Sequence, residues 1–179
     1  LPLHPWGDCR ETNIVLRPEA RCDGATLAYD PESDHPFRLY YFLYNDDRAG
    51  PARGVKGHIR VARSKDGLRF KPLPEPALSS TGDRNNIMLQ KVGGRYVLLC
   101  RHRDMWTHPG GRSVWISESE DGYQFTEPEL ILCPNLSDPP LVEYYGMSAF
   151  PYAGGYLGLL EYFYNAPDVI EIVLAWSDD

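Results

Sequence analysis

Ala62-Arg63-Ser64-Lys65-Asp66-Gly67-Leu68-Arg69-Phe70 recurs as Ser117-Glu118-Ser119-Glu120-Asp121-Gly122-Tyr123-Gln124-Phe125, and a third copy opens at Ala175-Trp176-Ser177-Asp178-Asp179. The shared serines Ser64, Ser119 and Ser177 are spaced by 55 and 58 residues. Asp-Gly supplies the positive φ of a tight turn, and the Phe three residues after Gly is expected to pack inward on the next strand. Proline marks the exit in both full copies, at Lys71-Pro72 and Thr126-Glu127-Pro128.

A second repeat runs in register with the first. Leu27-Ala28-Tyr29, Ile87-Met88-Leu89 and Met147-Ser148-Ala149-Phe150 each begin a strand, followed by a turn and an aromatic strand. β-rich runs bounded by Gly, Pro, Asp or Asn are expected as strands at 37–42, 95–100, 112–116 and 170–176. Lys91-Val92-Gly93-Gly94-Arg95 and Tyr152-Ala153-Gly154-Gly155-Tyr156 read as hairpin turns. One unit is then four short strands in about 58 residues, the size and order of a β-propeller blade. A β-sandwich with chance similarity is the competing reading, and three copies sharing two signals favour the propeller. The fold class expected is all-β, a propeller of four-stranded antiparallel blades.

The 179 residues make 20.3 kDa, one ordinary domain. With 22 aromatics and a 42% apolar fraction, the chain is a folding chain rather than a disordered one. Sixteen prolines and sixteen glycines leave little room for long helices. No apolar run is long enough to span a membrane, so no membrane partner is expected. A net charge of −7 repels phosphate backbones and disfavours nucleic acid as a partner. Arginine outnumbers lysine by 14 to 4, which fits either codon bias or a use for planar donors.

Cys9, Cys22, Cys100 and Cys133 form no C-x-x-C pair, so no zinc site is expected and no disulfide is demanded. Cys100 sits in an apolar run and reads as a buried thiol. The acidic loop Asn45-Asp46-Asp47-Arg48 lacks a full set of oxygen ligands for calcium, so no metal or other cofactor is assigned.

The blade units fall at approximately 23–76, 83–132 and 143–179, within one partial propeller domain over 1–179. Residues 1–22 carry Asn13-Ile14-Val15-Leu16-Arg17-Pro18-Glu19, expected as the outer strand of a preceding blade. Propellers close with roughly four to eight blades, so about three blades imply a piece of a larger propeller. Open blade edges are expected to favour self-association.

Several segments in order carry a resemblance. They are Asp83-Arg84-Asn85-Asn86, Gly94-Arg95-Tyr96-Val97, Gly111-Arg112-Ser113-Val114, Thr126-Glu127-Pro128-Glu129-Leu130, Asp138-Pro139-Pro140, Tyr145-Gly146-Met147-Ser148-Ala149-Phe150-Pro151-Tyr152 and Gly155-Tyr156-Leu157-Gly158-Leu159-Leu160. The succession, over Gly24 to Asp179, resembles uncharacterised bacterial glycosidase-like proteins of the five-bladed propeller superfamily that holds glycoside hydrolase families 32 and 43. The resemblance implies about three blades of an expected five. It also implies carboxylates at the start of each innermost strand: a base or nucleophile Asp, a tuning Asp and an acid Glu. Counting back five residues from Ala28, Met88 and Ser148 gives Asp23, Asp83 and Glu143, spaced by 60 and 60.

Glycoside cleavage needs one carboxyl to protonate the leaving oxygen and another to activate water or attack carbon. Asp23 is then the base or nucleophile, Asp83 the tuner and Glu143 the acid. Each also has an ordinary reading as a turn or surface residue. Aligning Phe150-Pro151 with the Phe-Pro of family 32 puts the acid position on Tyr145 instead, and Asp138 is a reserve acid. No Trp-x-Asn-Asp-Pro segment is present, which disfavours an invertase-like enzyme. Arg101, His102, Trp106, Arg112 and Tyr145 are the expected substrate contacts: arginines clamp hydroxyls or carboxylates and aromatic rings stack on sugar faces.

The expected function is hydrolysis of a glycosidic bond in an oligo- or polysaccharide. A carbohydrate-binding propeller without catalysis and an inactive or structural fragment are the competing readings. Sugar-induced stabilisation without turnover would mark the second, and no response to sugar the third.

Overall fold

The computed structural model describes residues 12–44, 57–79, 81–92, 94–102 and 111–179, without the side chains of 83–92. Among these residues the chain is all strands, turns and loops. Sheet one holds β1 (Cys22–Tyr29), β2 (Phe37–Tyr44), β3 (Gly57–Ser64) and β4 (Lys71–Pro72). Sheet two holds β5 (Thr81–Val92), β6 (Arg95–His102), β7 (Val114–Ser119) and β8 (Glu129–Leu132). Sheet three holds β9 (Val142–Tyr152), β10 (Gly155–Tyr164) and β11 (Val169–Ser177). Every sheet is an antiparallel meander with its strands in chain order. The first strands are neighbours, with β1 beside β5 and β5 beside β9.

Period-two alternation decides which face of each strand is buried and against what. On β2, Tyr40 and Phe42 face sheet two, while Tyr41 and Leu43 face away. On β6, Leu98 and Cys100 join Tyr40, Phe42, Ile59 and Val61 between sheets one and two. The alternate residues Val97 and Leu99 join Val114, Tyr144 and Leu160 between sheets two and three. Sheet two is thus apolar on both faces. Burial of each such large side chain is worth about 1.5–3 kcal/mol.

The repeated Ser-x-Asp-Gly segments form the same turn twice. Ser64 Oγ donates to Asp66 Oδ1 at 3.0 Å, and the amides of Leu68 and Arg69 donate to that oxygen at 2.9 and 2.8 Å. Ser119 Oγ donates to Asp121 Oδ1 at 3.0 Å, and the amides of Tyr123 and Gln124 follow at 2.7 and 3.0 Å. Gly67 and Gly122 take φ of 72° and 73°, as the Asp-Gly reading requires. At the third copy Ser177 Oγ donates to Asp179 Oδ1, again at 3.0 Å. The phenylalanines pack inward as expected: Phe125 meets the edge of Tyr40 at 6.0 Å, and Phe70 packs on the Tyr41 side of sheet one.

The turn of sheet two also docks on sheet one. Buried Arg38 donates from Nη1 to the Asp121 carbonyl at 2.9 Å, and Tyr40 Oη donates to the Gly122 carbonyl at 2.8 Å. The Arg38 guanidinium lies over the rings of Tyr96 and Tyr123 at 4.8 and 4.5 Å and pairs with Asp30 at 3.7 Å.

Both expected hairpins form: Arg95 pairs with Val92, and Gly155 with Tyr152, the latter through Ala153 and Gly154 at φ 48° and 90°. Residues 13–19 pair with none of these three sheets, and Leu16 packs with Ala20 onto Tyr41 and Leu43. Cys22, Cys100 and Cys133 are free thiols. Cys100 is buried as expected, and burial pushes its thiol up to about 12. Cys9 and the loop 45–48 lie outside the described residues.

Candidate functional site

Each first strand is interrupted near the carboxylate that the sequence singles out. In β1 the register slips between Asp23, opposite Phe42, and Thr26, opposite Tyr40. In β5 it slips between Thr81, opposite His102, and Asn85, opposite Cys100, a stretch that contains Asp83. In β9 Tyr144 faces Tyr162 and Gly146 faces Glu161, which leaves Tyr145 as an extra residue two positions after Glu143. Bulges re-aim side chains and break pairing locally, and they are common beside active sites. Gly24, at φ 52°, provides the left-handed residue in the first of them.

The three carboxylates therefore sit near the starts of three adjacent strands. The Asp23 side chain is exposed, and its Oδ1 accepts from the Gly24 amide at 2.8 Å. The main chain places Asp83 inside the β5 irregularity, and its side chain is outside the description. Glu143 lies opposite Phe163 on β10 and forms an ion pair and hydrogen bond with Arg112. Both partners of that pair are about 15% exposed, Arg112 at 16% and Glu143 at 15%, so the pair is sheltered from solvent rather than lying on the surface. Its geometry is built from both sides. The Tyr144 amide donates to the Arg112 carbonyl at 2.9 Å, which ties the segment before β7 to β9. Gly111 precedes it at φ 64°, and a Cβ there would lie 2.5 Å from Glu143 Oε1.

Arg101, Arg112 and Tyr145 converge. Arg101 lies on β6 opposite the β5 irregularity, is buried, and donates from Nη2 to the Tyr145 carbonyl at 2.5 Å. Its guanidinium lies 4.5 Å from the centre of the Tyr145 ring, and that of Arg112 lies 5.4 Å from the same ring. Phe163 completes the group, 5.2 Å from Tyr145 and 5.2 Å beneath Arg112. His102, the next residue on β6, points to the other face. It stacks on Trp115 at 4.5 Å and approaches Glu127 at 3.9 Å, on the side of sheet two that faces sheet one. Trp106 lies outside the described residues.

The reserve acid Asp138 has another task. It accepts from Tyr162 Oη at 2.5 Å, Tyr144 Oη at 2.9 Å and the Asn135 amide at 2.8 Å. The Tyr162 hydrogen bond, the Asn135 amide and the Tyr144 hydroxyl hold its carboxyl below the usual range. A general acid needs the opposite shift, so Asp138 is an anchor for the loop before β9. Tyr144 and Tyr162, its donors, stack at 5.1 Å. The sequence reading missed Phe163 and the steric role of Gly111. The Gly110-Gly111 pair before Arg112 was the available signal for the second; Phe163 had none, because only strand register brings it to Glu143. Among the described residues no group of His, Cys, Asp and Glu is arranged to hold a metal ion.

No protein-family model and no curated protein matches the sequence. Solved structures do match. One described as a glycoside hydrolase has a TM-score of 0.65 at 18% identity, over 87% of this chain and 45% of its own. A sucrose-6-phosphate hydrolase from Lactobacillus gasseri has a TM-score of 0.61 at 17% identity, over 89% and 32%. An N-acetylgalactosamine deacetylase from F. plautii, solved with blood group B trisaccharide, has a TM-score of 0.65 at 16% identity, over 94% and 53%. This chain spans only about a third to a half of these structures. One of the three works by deacetylation, so the shared scaffold alone does not fix the chemistry. The chain shares an all-β fold of antiparallel sheets with these solved structures, over part of their length.

Proposed function

We propose that the three sheets are consecutive blades of a five-bladed propeller and that the protein hydrolyses a glycosidic bond in an oligo- or polysaccharide. The observation that carries this reading is the recurrence of an irregularity beside Asp23, Asp83 and Glu143 on three neighbouring strands. A propeller gathers its first strands around a central funnel, and such bulges would turn these carboxylates toward it. In this reading Glu143 protonates the leaving oxygen, Asp23 activates water or attacks the anomeric carbon, and Asp83 tunes the pair. Arg112 orients Glu143. Tyr145, backed by Arg101, offers a ring for a sugar face.

A second reading is a carbohydrate-binding propeller without catalysis. The Arg112–Glu143 pair favours it, because Glu143 Oε2 is already engaged as an acceptor. One experiment separates the two. A panel of aryl glycosides and natural oligosaccharides is tested for both turnover and thermal stabilisation of the protein. Hydrolysis abolished by Asp23→Asn supports the enzyme; stabilisation by a sugar that is never cleaved supports the binding module.

A further inference from the structure

We propose, on the hydrolase reading above, that Arg101 is a positioning residue rather than a contact to substrate: it holds the Tyr145 bulge and, through it, the direction of Glu143. An extra residue in a strand is left unpaired by the ladder, so its peptide groups need partners from elsewhere. Tyr145 is that residue in β9. Arg101, buried on β6, reaches it from sheet two. Its Nη2 donates to the Tyr145 carbonyl at 2.5 Å, and its guanidinium lies over the ring of the same residue at 4.5 Å. One planar fork thus grips both the main chain and the side chain of the bulged residue.

The main chain of Arg101 is held in turn by β5. Thr81, fully buried, donates from Oγ1 to the Arg101 carbonyl at 3.0 Å. Gly82 lies so close that a Cβ there would stand 3.2 Å from Arg101 Cβ. These two residues open the irregularity that contains Asp83. Arg101 therefore stands between two interrupted strands, its carbonyl against one and its guanidinium on the other. The space left beside Arg101, Ser113, Tyr145 and Gly146 is a cavity of about 10 Å³, room for about one water and far too small for a sugar ring. The effect on chemistry runs through Tyr145, two positions after Glu143. The Tyr144 amide between them donates to the Arg112 carbonyl, so a relaxed bulge would move that hydrogen bond and the Glu143 carboxyl together. A shift of about 1 Å in a reacting group costs about 10²-fold in rate.

Turnover of aryl glycosides of one sugar, with leaving groups from poor to activated, tests the proposal. Arg101→Met keeps most of the stem and removes the donors. It should lower kcat about 10–10²-fold on poor leaving groups and less than about threefold on activated ones, with KM within about twofold throughout. Arg101→Lys keeps the charge and a donor but not the planar fork, and should show the same pattern with a smaller loss. It carries the test if Arg101→Met does not fold by circular dichroism. Arg38→Met, which loosens the contact between sheets one and two, should keep the parent's kcat across the series. A raised KM with kcat kept marks a substrate contact and overturns the proposal, as does a kcat loss that is uniform across the series. If the parent cleaves none of these glycosides, or Glu143→Gln costs the same on all, the hydrolase reading fails, and hydrogen exchange at the Tyr144 amide decides what Arg101 holds. Either Arg101 variant should then speed that exchange about tenfold beyond any change at the amides of sheet one. Unchanged protection there overturns the proposal.

Discussion

Gly111 meets two demands that only glycine satisfies together. Its φ is 64°, and a Cβ would come within 2.5 Å of Glu143 Oε1. Gly111→Ala should therefore cost about 1 kcal/mol for the left-handed backbone and about 1 kcal/mol more for the displaced carboxylate. Only the first cost should remain in a Glu143→Ala background, which denaturant unfolding of the four proteins would reveal as coupling. Asp138 allows a pH prediction. Its folded-state pKa is lowered, so its hydrogen bonds add stability above the unfolded carboxylate value of about 3.9, and that stability is lost as pH falls through the folded value. Asp138→Asn should lower the melting temperature by a constant amount between about pH 5 and 7, and the gap should close on acidification. Neither residue's role could be read from spacing. Glu143 and Arg112 are 31 residues apart, and Asp138 and Tyr162 are 24, so strand register had to bring them together.

Among the elements, the turns were the most legible. Ser64-Lys65-Asp66-Gly67 and Ser119-Glu120-Asp121-Gly122 make the same local hydrogen bonds, because each uses only its own side chains and amides. What the sequence could not show is that sheet one holds the second of these turns. Arg38 reaches the Asp121 carbonyl from 83 residues away. Arg38→Met should cost about 2–4 kcal/mol in unfolding free energy, since it leaves Asp30 without its cation and the Asp121 carbonyl without its donor in a largely buried site. Asp121→Ala, which removes an acceptor for two amides, should cost about 1–2 kcal/mol. If Arg38→Met proved neutral by denaturant titration, the Arg38 contact would not hold the two sheets together. The bulges of β1, β5 and β9 left only faint traces in sequence, with Gly24 the clearest, because a bulge is defined by the strand opposite.

At the scale of the molecule, three meanders with adjacent first strands follow from two repeats of about 58 residues, and both were visible before any coordinates. Leu16, from the region 13–19, packs with Ala20 against Tyr41 and Leu43. The site divides. Arg101, Arg112 and Tyr145 meet, whereas His102 faces sheet one because neighbouring residues on a strand point to opposite faces. In the proposed reaction Glu143 delivers a proton to a leaving group. The most direct measurement of that step is the turnover of wild-type protein and Glu143→Gln on glycosides of one sugar whose leaving groups range from poor to highly activated. Proton delivery by Glu143 predicts a loss of about 10²–10⁴-fold on poor leaving groups, shrinking toward none on activated ones, which leave without protonation. A uniform loss across the series, or none at all, would contradict it.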